Sequence, residues 1–139
     1  MNENVNLTFK DKINNVVNLK KPVKLQTFNT NKNFLSQVET TLSAILKNKN
    51  FHHLYTALYF VLREMIENGN KANLKRIYFN FKNLKITDPE DYKTGMEKFS
   101  VEYRKDYKKF EKELKNSGLF IKVIFQEYAL LKFNLYIAN

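Results

Sequence analysis

The chain has 139 residues, with 24 Lys and Arg against 14 Asp and Glu, a formal charge of +10, and no Cys. That length is one domain's worth and holds a core without metal or disulfide, while the missing thiol excludes disulfides, Cys-ligated zinc and thiol nucleophiles. An apolar share of 43%, with 12 Phe and 8 Tyr, is the composition of a globular chain and not of a disordered one.

The opening MNENVNLTFKDKI lacks the apolar stretch of a signal peptide. No apolar run reaches the roughly 18 residues of a membrane span, so none is expected and the cytoplasm is the default compartment. The cations are spread along the chain and favour anionic partners: nucleic acid, nucleotide phosphate or an acidic membrane face.

Residues 1–21 carry no long periodic pattern and read as an N-terminal arm, closed by Pro22. Val23 to Phe28 alternates as a short strand does. A helix is expected from Phe34 to Lys47, with Phe34, Leu35, Val38, Leu42, Ile45 and Leu46 at helical spacing and Asn33 as its cap. A second runs from His52 to Ala72. Its stripe of Leu54, Leu58, Val61, Leu62, Met65, Gly69 and Ala72, widened by Tyr55, Tyr59 and Ile66, predicts deep burial. Arg76 to Lys82 alternates and predicts a strand. Asp88 caps a third helix with Pro89 in its first position. Met96, Phe99, Tyr103, Phe110 and Leu114 form that helix's buried face, and Gly118 ends it. Leu119 to Gln126 and Leu131 to Ala138 alternate as two strands, with Glu127 to Ala129 as a hairpin turn. The fold class is therefore α+β, with helices packed on one face of a mixed or antiparallel sheet.

Glu64, Asn68 and Lys71 stand at i, i+4 and i+7 and so share one edge of the second helix. A carboxylate and an amide oxygen are hard ligands suited to magnesium, and an ammonium neutralises phosphate as a point charge. The same spacing also fits a solvated helix edge with a weak Glu67–Lys71 surface pair. Gly69 within a helix costs about 1 kcal/mol relative to Ala, so it points to a close approach at that backbone.

Glu64-x-x-x-Asn68-Gly69-x-Lys71-Ala72 resembles the N-box of the GHKL superfamily, the histidine-kinase-like ATPases of the Bergerat fold. The resemblance implies that residues 22–139 form a partial ATP-binding domain, an incomplete Bergerat α/β sandwich taking Mg-ATP. It makes Asn68 the magnesium ligand and Glu64 the catalytic carboxylate that polarises water. Asn68, Lys71 and Ala72 become the nucleotide-contacting positions. Gly69 stands where the family's pattern has Ala, and with 3 Gly in the chain the family's glycine boxes are not present. The resemblance thus implies a signal-transduction ATPase segment that is not catalytic by itself. Two other readings stand beside it. One is a protein-interaction module whose open sheet edge a partner completes. The other is a basic nucleic-acid binder stacking bases on Tyr78, Tyr103, Tyr107 or Tyr136. His52 and His53, at a helix start, are not persuasive as phosphoacceptors.

Overall fold

A computed structural model of the chain describes residues 7–127 and 131–137. Its first helix, α1 (Phe9–Asn18), begins at Thr8, whose side chain accepts from the Asp11 amide while the Asp11 carboxylate accepts from the Thr8 amide. Ile13 and Val17 on α1 are buried, so this stretch of the expected arm is part of the core.

Strand β1 (Val23–Thr27) buries Val23 and Leu25 and exposes Lys24 and Gln26. Helix α2 (Lys32–Asn48) follows, capped by Asn31 and not Asn33. The Asn31 side-chain oxygen accepts from the Phe34 amide at 2.9 Å. A 3-10 turn at His52–Leu54 leads into α3 (Tyr55–Phe81), a single helix of 27 residues. At 1.5 Å per residue it is about 40 Å long.

The expected strand at Arg76–Lys82 is the last turns of α3. Leu74, Ile77 and Tyr78, all buried, also satisfy helical spacing. Extending an existing helix needs no new nucleus, whereas a strand there would need a partner. Asp88 does cap the next helix, accepting at 3.0 Å from the Glu90 and Asp91 amides with Pro89 in the first turn. That helix, expected to run on to Gly118, is divided at Asp106 into α4 (Pro89–Lys105) and α5 (Tyr107–Asn116). Asp106 has φ −114° and ψ 27°, outside the helical well. The break turns Phe110 and Leu114 back onto the same apolar cluster as Phe99. Gly118 ends α5 with φ 71°, in the left-handed region where a Cβ is disfavoured.

Strands β2 (Ile121–Glu127) and β3 (Leu131–Ile137) follow as expected. Of the predicted turn, Tyr128 and Ala129 lie outside the described residues. The sheet is antiparallel throughout, in the order β1-β2-β3, so β1 and β3 are its edges. Leu25 stands opposite Val123, and Val123 opposite Leu135. The buried strand residues Val23, Leu25, Ile121, Val123 and Phe125 all belong to one face, which α1, α2 and the first half of α3 cover. Lys24, Gln26, Lys122, Ile124 and Gln126 lie on the other face, where none is buried. The α+β class with helices on one sheet face is thus the observed architecture.

Two apolar clusters share α3. Leu62 and Ile66 join the cluster over the sheet. Leu74, Ile77, Tyr78 and Phe79 join one built with Phe99, Phe110, Leu114 and Leu119. Asn29, itself buried, bridges the two regions by donating its amide to Glu111 on α5 at 2.7 Å. The predicted stripe on α3 is only partly buried. Leu62, Ile66 and Gly69 are enclosed, but Leu54, Val61 and Met65 remain 41%, 54% and 45% exposed. Sheet and helices cover an arc of this half of α3 centred on Leu62 and Ile66, which leaves the flank at Leu54, Val61 and Met65 in solvent.

Candidate ligand pocket

The edge singled out in the sequence lies midway along α3. Glu64, Asn68 and Lys71 are all exposed, and Ala72 is half-buried. Helical phase accounts for this: Ile66, Gly69 and Asn73 face inward, which turns Glu64, Asn68 and Lys71 outward. Arg63 donates its Nε–H to Glu67 Oε1 at 2.7 Å across one turn. The surface pair that forms is thus Arg63–Glu67 and not Glu67–Lys71, and Lys71 makes no ion pair with a described residue.

Lys71 does reach a cavity. About 320 Å³ of space lies between α3 and α4, lined by Glu67, Asn70, Lys71 and Leu74 on α3. Phe99, Ser100, Tyr103 and Arg104 line it from α4, and Thr30 from the β1–α2 connection. Its walls follow from helical spacing, since Glu67, Asn70, Lys71 and Leu74 stand at i, i+3, i+4 and i+7, and Phe99, Ser100, Tyr103 and Arg104 at i, i+1, i+4 and i+5. The floor is aromatic: Phe99 and Tyr103 stack with centroids 5.6 Å apart and planes 20° apart. Two cations, Lys71 and Arg104, stand on the rim, and Arg104 also makes no ion pair with a described residue.

Asn70 Oδ1, on a residue of this wall, is buried without a hydrogen-bond partner among the described residues, at a cost of about 1–3 kcal/mol. Asn73, one turn further on, is fully enclosed. It donates to the Phe120 carbonyl at 3.4 Å, and its Oδ1 is likewise unpartnered.

Of the four predicted positions, the cavity takes in Lys71 alone. Glu64 and Asn68 do not line it, and a metal shared with an enclosed phosphate needs ligands that converge on that space. Asn68 and Glu64, to which the resemblance gives the magnesium and water-polarising roles, thus lie on the exposed edge of α3 outside this cavity. No cluster of three His, Cys, Asp or Glu able to hold a metal occurs among the described residues. His52 and His53 are exposed in the 3-10 turn. Arg104, Ser100, Asn70 and Thr30 were missed in the sequence because they converge from three separate segments with no local motif. The available signal was a pair of cations on neighbouring helices.

No protein family matches the chain, and no solved structure matches it. A protein of Treponema pallidum (strain Nichols), described only as an uncharacterized protein, is 32% identical over 119 residues. The match covers 84% of this chain and 23% of that protein. The chain thus spans about a quarter of the relative's length. No helix among the described residues is long and apolar enough to cross a membrane.

Proposed function

We propose that the chain is a non-catalytic binding module for a small phosphate-bearing ligand, with a nucleotide as the class that the N-box-like sequence implies. The carrying observation is the cavity between α3 and α4, where Lys71 and Arg104, neither in an ion pair with a described residue, stand over the Phe99–Tyr103 floor. Two cations at one opening, neither paired with a described carboxylate, favour an anion. An aromatic floor with a few convergent polar groups is the usual make-up of a small-molecule site. Lys71 is the one N-box-like position that lines the cavity, and the strand expected after that motif is helix here.

Calorimetric titration with ATP, with and without magnesium, and with inorganic phosphate tests the reading. A charge-assisted contact is worth about 1.5–3 kcal/mol. Lys71→Gln and Arg104→Gln should each weaken binding at least about tenfold, while Asn68→Ala and removal of magnesium change it little. Titrations that show no binding, or affinity that neither cation variant alters, reject the pocket. Loss on Asn68→Ala together with a strict need for magnesium would restore the full N-box reading.

A second reading, a protein-interaction module, is favoured by the exposed apolar side chains Phe60, Val61 and Met65 on α3 and Leu54 in the turn before it. The occupant this stripe fits is a second copy of the chain. Antiparallel pairing about Val61 sets Ala57 opposite Met65, small against large, as interdigitating helices require. Sedimentation of the wild type against Val61→Glu decides it: a concentration-dependent dimer lost in the variant supports the pairing, and monomers in both reject it.

A further inference from the structure

The face of the sheet turned away from the helices has a composition of its own. Lys24 and Gln26 on β1 are exposed, and Lys122 and Ile124 on β2 are half-buried, with Ile124 outside both apolar clusters. Gln26 stands opposite Lys122, and Lys24 opposite Ile124. On the other side of β2, Lys122 is in register with Tyr136 and Gln126 with Lys132. No carboxylate occupies any of these positions, and no described ion pair engages Lys24 or Lys122.

Two aromatic rings extend the face at one end. Phe28 and Phe120 meet edge to face with centroids 6.5 Å apart. Both are only half-buried, and with Ile124 they belong to neither apolar cluster. These three apolar side chains are therefore not explained by the core. A hydrophobic core would bury them, and a solvated face would replace them by polar residues.

We propose that this open sheet face binds single-stranded nucleic acid. Phe28 and Phe120 would offer ring surfaces on which unpaired bases stack, and Lys24 and Lys122 would track the phosphates. Gln26 and Gln126 would meet base edges or sugar hydroxyls. A single strand fits where a duplex does not, because stacking on a ring needs a base already free of its pair. The carboxylate-free patch on a chain of charge +10 supplies the complementarity. Of the tyrosines expected to stack bases, Tyr78 is 1% exposed and Tyr103 lies in the second cluster's aromatic packing. The side chains of Tyr107 and Tyr136 are outside the described residues.

Fluorescence anisotropy with labelled oligo-dT and oligo-rU of about 12 nucleotides, beside a duplex of equal length, tests the assignment. Both single strands should bind, and the duplex at least about tenfold more weakly, as its bases are already stacked and paired. The double change Lys24→Ala and Lys122→Ala should weaken binding and lower the slope of log affinity against log salt by about 1.4, at about 0.7 per lost phosphate contact. Phe120→Leu keeps the apolar volume and removes the ring, so affinity should fall about five- to tenfold with the salt slope unchanged. Circular dichroism checks that each variant folds. Lys71→Gln should have no effect, which separates this face from the α3–α4 pocket. Absence of binding, equal affinity for duplex, or indifference to the lysine and Phe120 variants would each overturn the proposal.

Discussion

Gly95 on α4 faces the Phe79 ring of α3 so closely that a Cβ there would overlap three of its ring carbons. Both residues are buried, and Phe79 is 1% exposed, so the ring has nowhere to go. Gly95→Ala should therefore destabilise by about 1–3 kcal/mol despite the better helix propensity of Ala, read as a lower urea midpoint at unchanged slope. Lys82 Nζ and Glu102 Oε2 lie 2.6 Å apart. Their hydrogen bond holds the Glu102 carboxyl below its ordinary value and the Lys82 ammonium above its own. A depressed carboxyl contributes stability at neutral pH that is lost as pH falls through its folded value, so the loss belongs below about pH 4.5. A raised ammonium contributes below about pH 10.5 and is lost in more alkaline solution. Glu102→Gln should flatten the acid limb of the urea midpoint against pH, by a small amount because the pair is partly exposed. Tyr55 is shifted up by burial and then by its 2.7 Å hydrogen bond to Glu39. Its contribution is complete below pH 10 and falls away above it, so Tyr55→Phe should reduce the alkaline loss.

Helix α4 shows where sequence and structure meet at the level of the element. Asp88, Pro89 and the acids of the first turn announce its start, and the two amide contacts of Asp88 explain why. Asp88→Ala should cost about 1 kcal/mol, measured by thermal unfolding. The strands were equally legible, because their alternation matches a sheet with one face buried, as Ile121, Val123 and Phe125 are. The end of α3 was not. Ile77, Tyr78 and Phe79 are three consecutive buried residues, and such a run is compatible with either period until its neighbours are known. The stripe at Leu54, Val61 and Met65 misled for a related reason: periodicity locates an apolar face but does not say what covers it. Lys71 was legible as a functional candidate through its spacing with Asn68 and Glu64. Arg104 was not, because only the packing of α4 against α3 brings it to the same cavity.

At the scale of the whole molecule, α3 runs through both apolar clusters as one rod, and Asn29 ties their far sides through Glu111. The two clusters should therefore unfold together. Hydrogen exchange at the Leu62 and Ile66 amides and at the Ile77 and Phe79 amides should give the same opening free energy within about 1 kcal/mol. A clearly lower value for one group would mean separate units. The shared rod also fixes which changes of length the gene can tolerate. Deleting a single residue between Ile66 and Leu74 shortens the rod by about 1.5 Å and rotates everything beyond it by about 100°. Ile77 and Phe79 would then swing out of phase with Phe99 and Phe110, and no side-chain substitution corrects a rotation of that size. Single-residue insertions and deletions should accordingly be confined to the connections around Lys49 and Lys85, leaving the span from Tyr55 to Phe81 with a constant count among any homologues that keep this architecture.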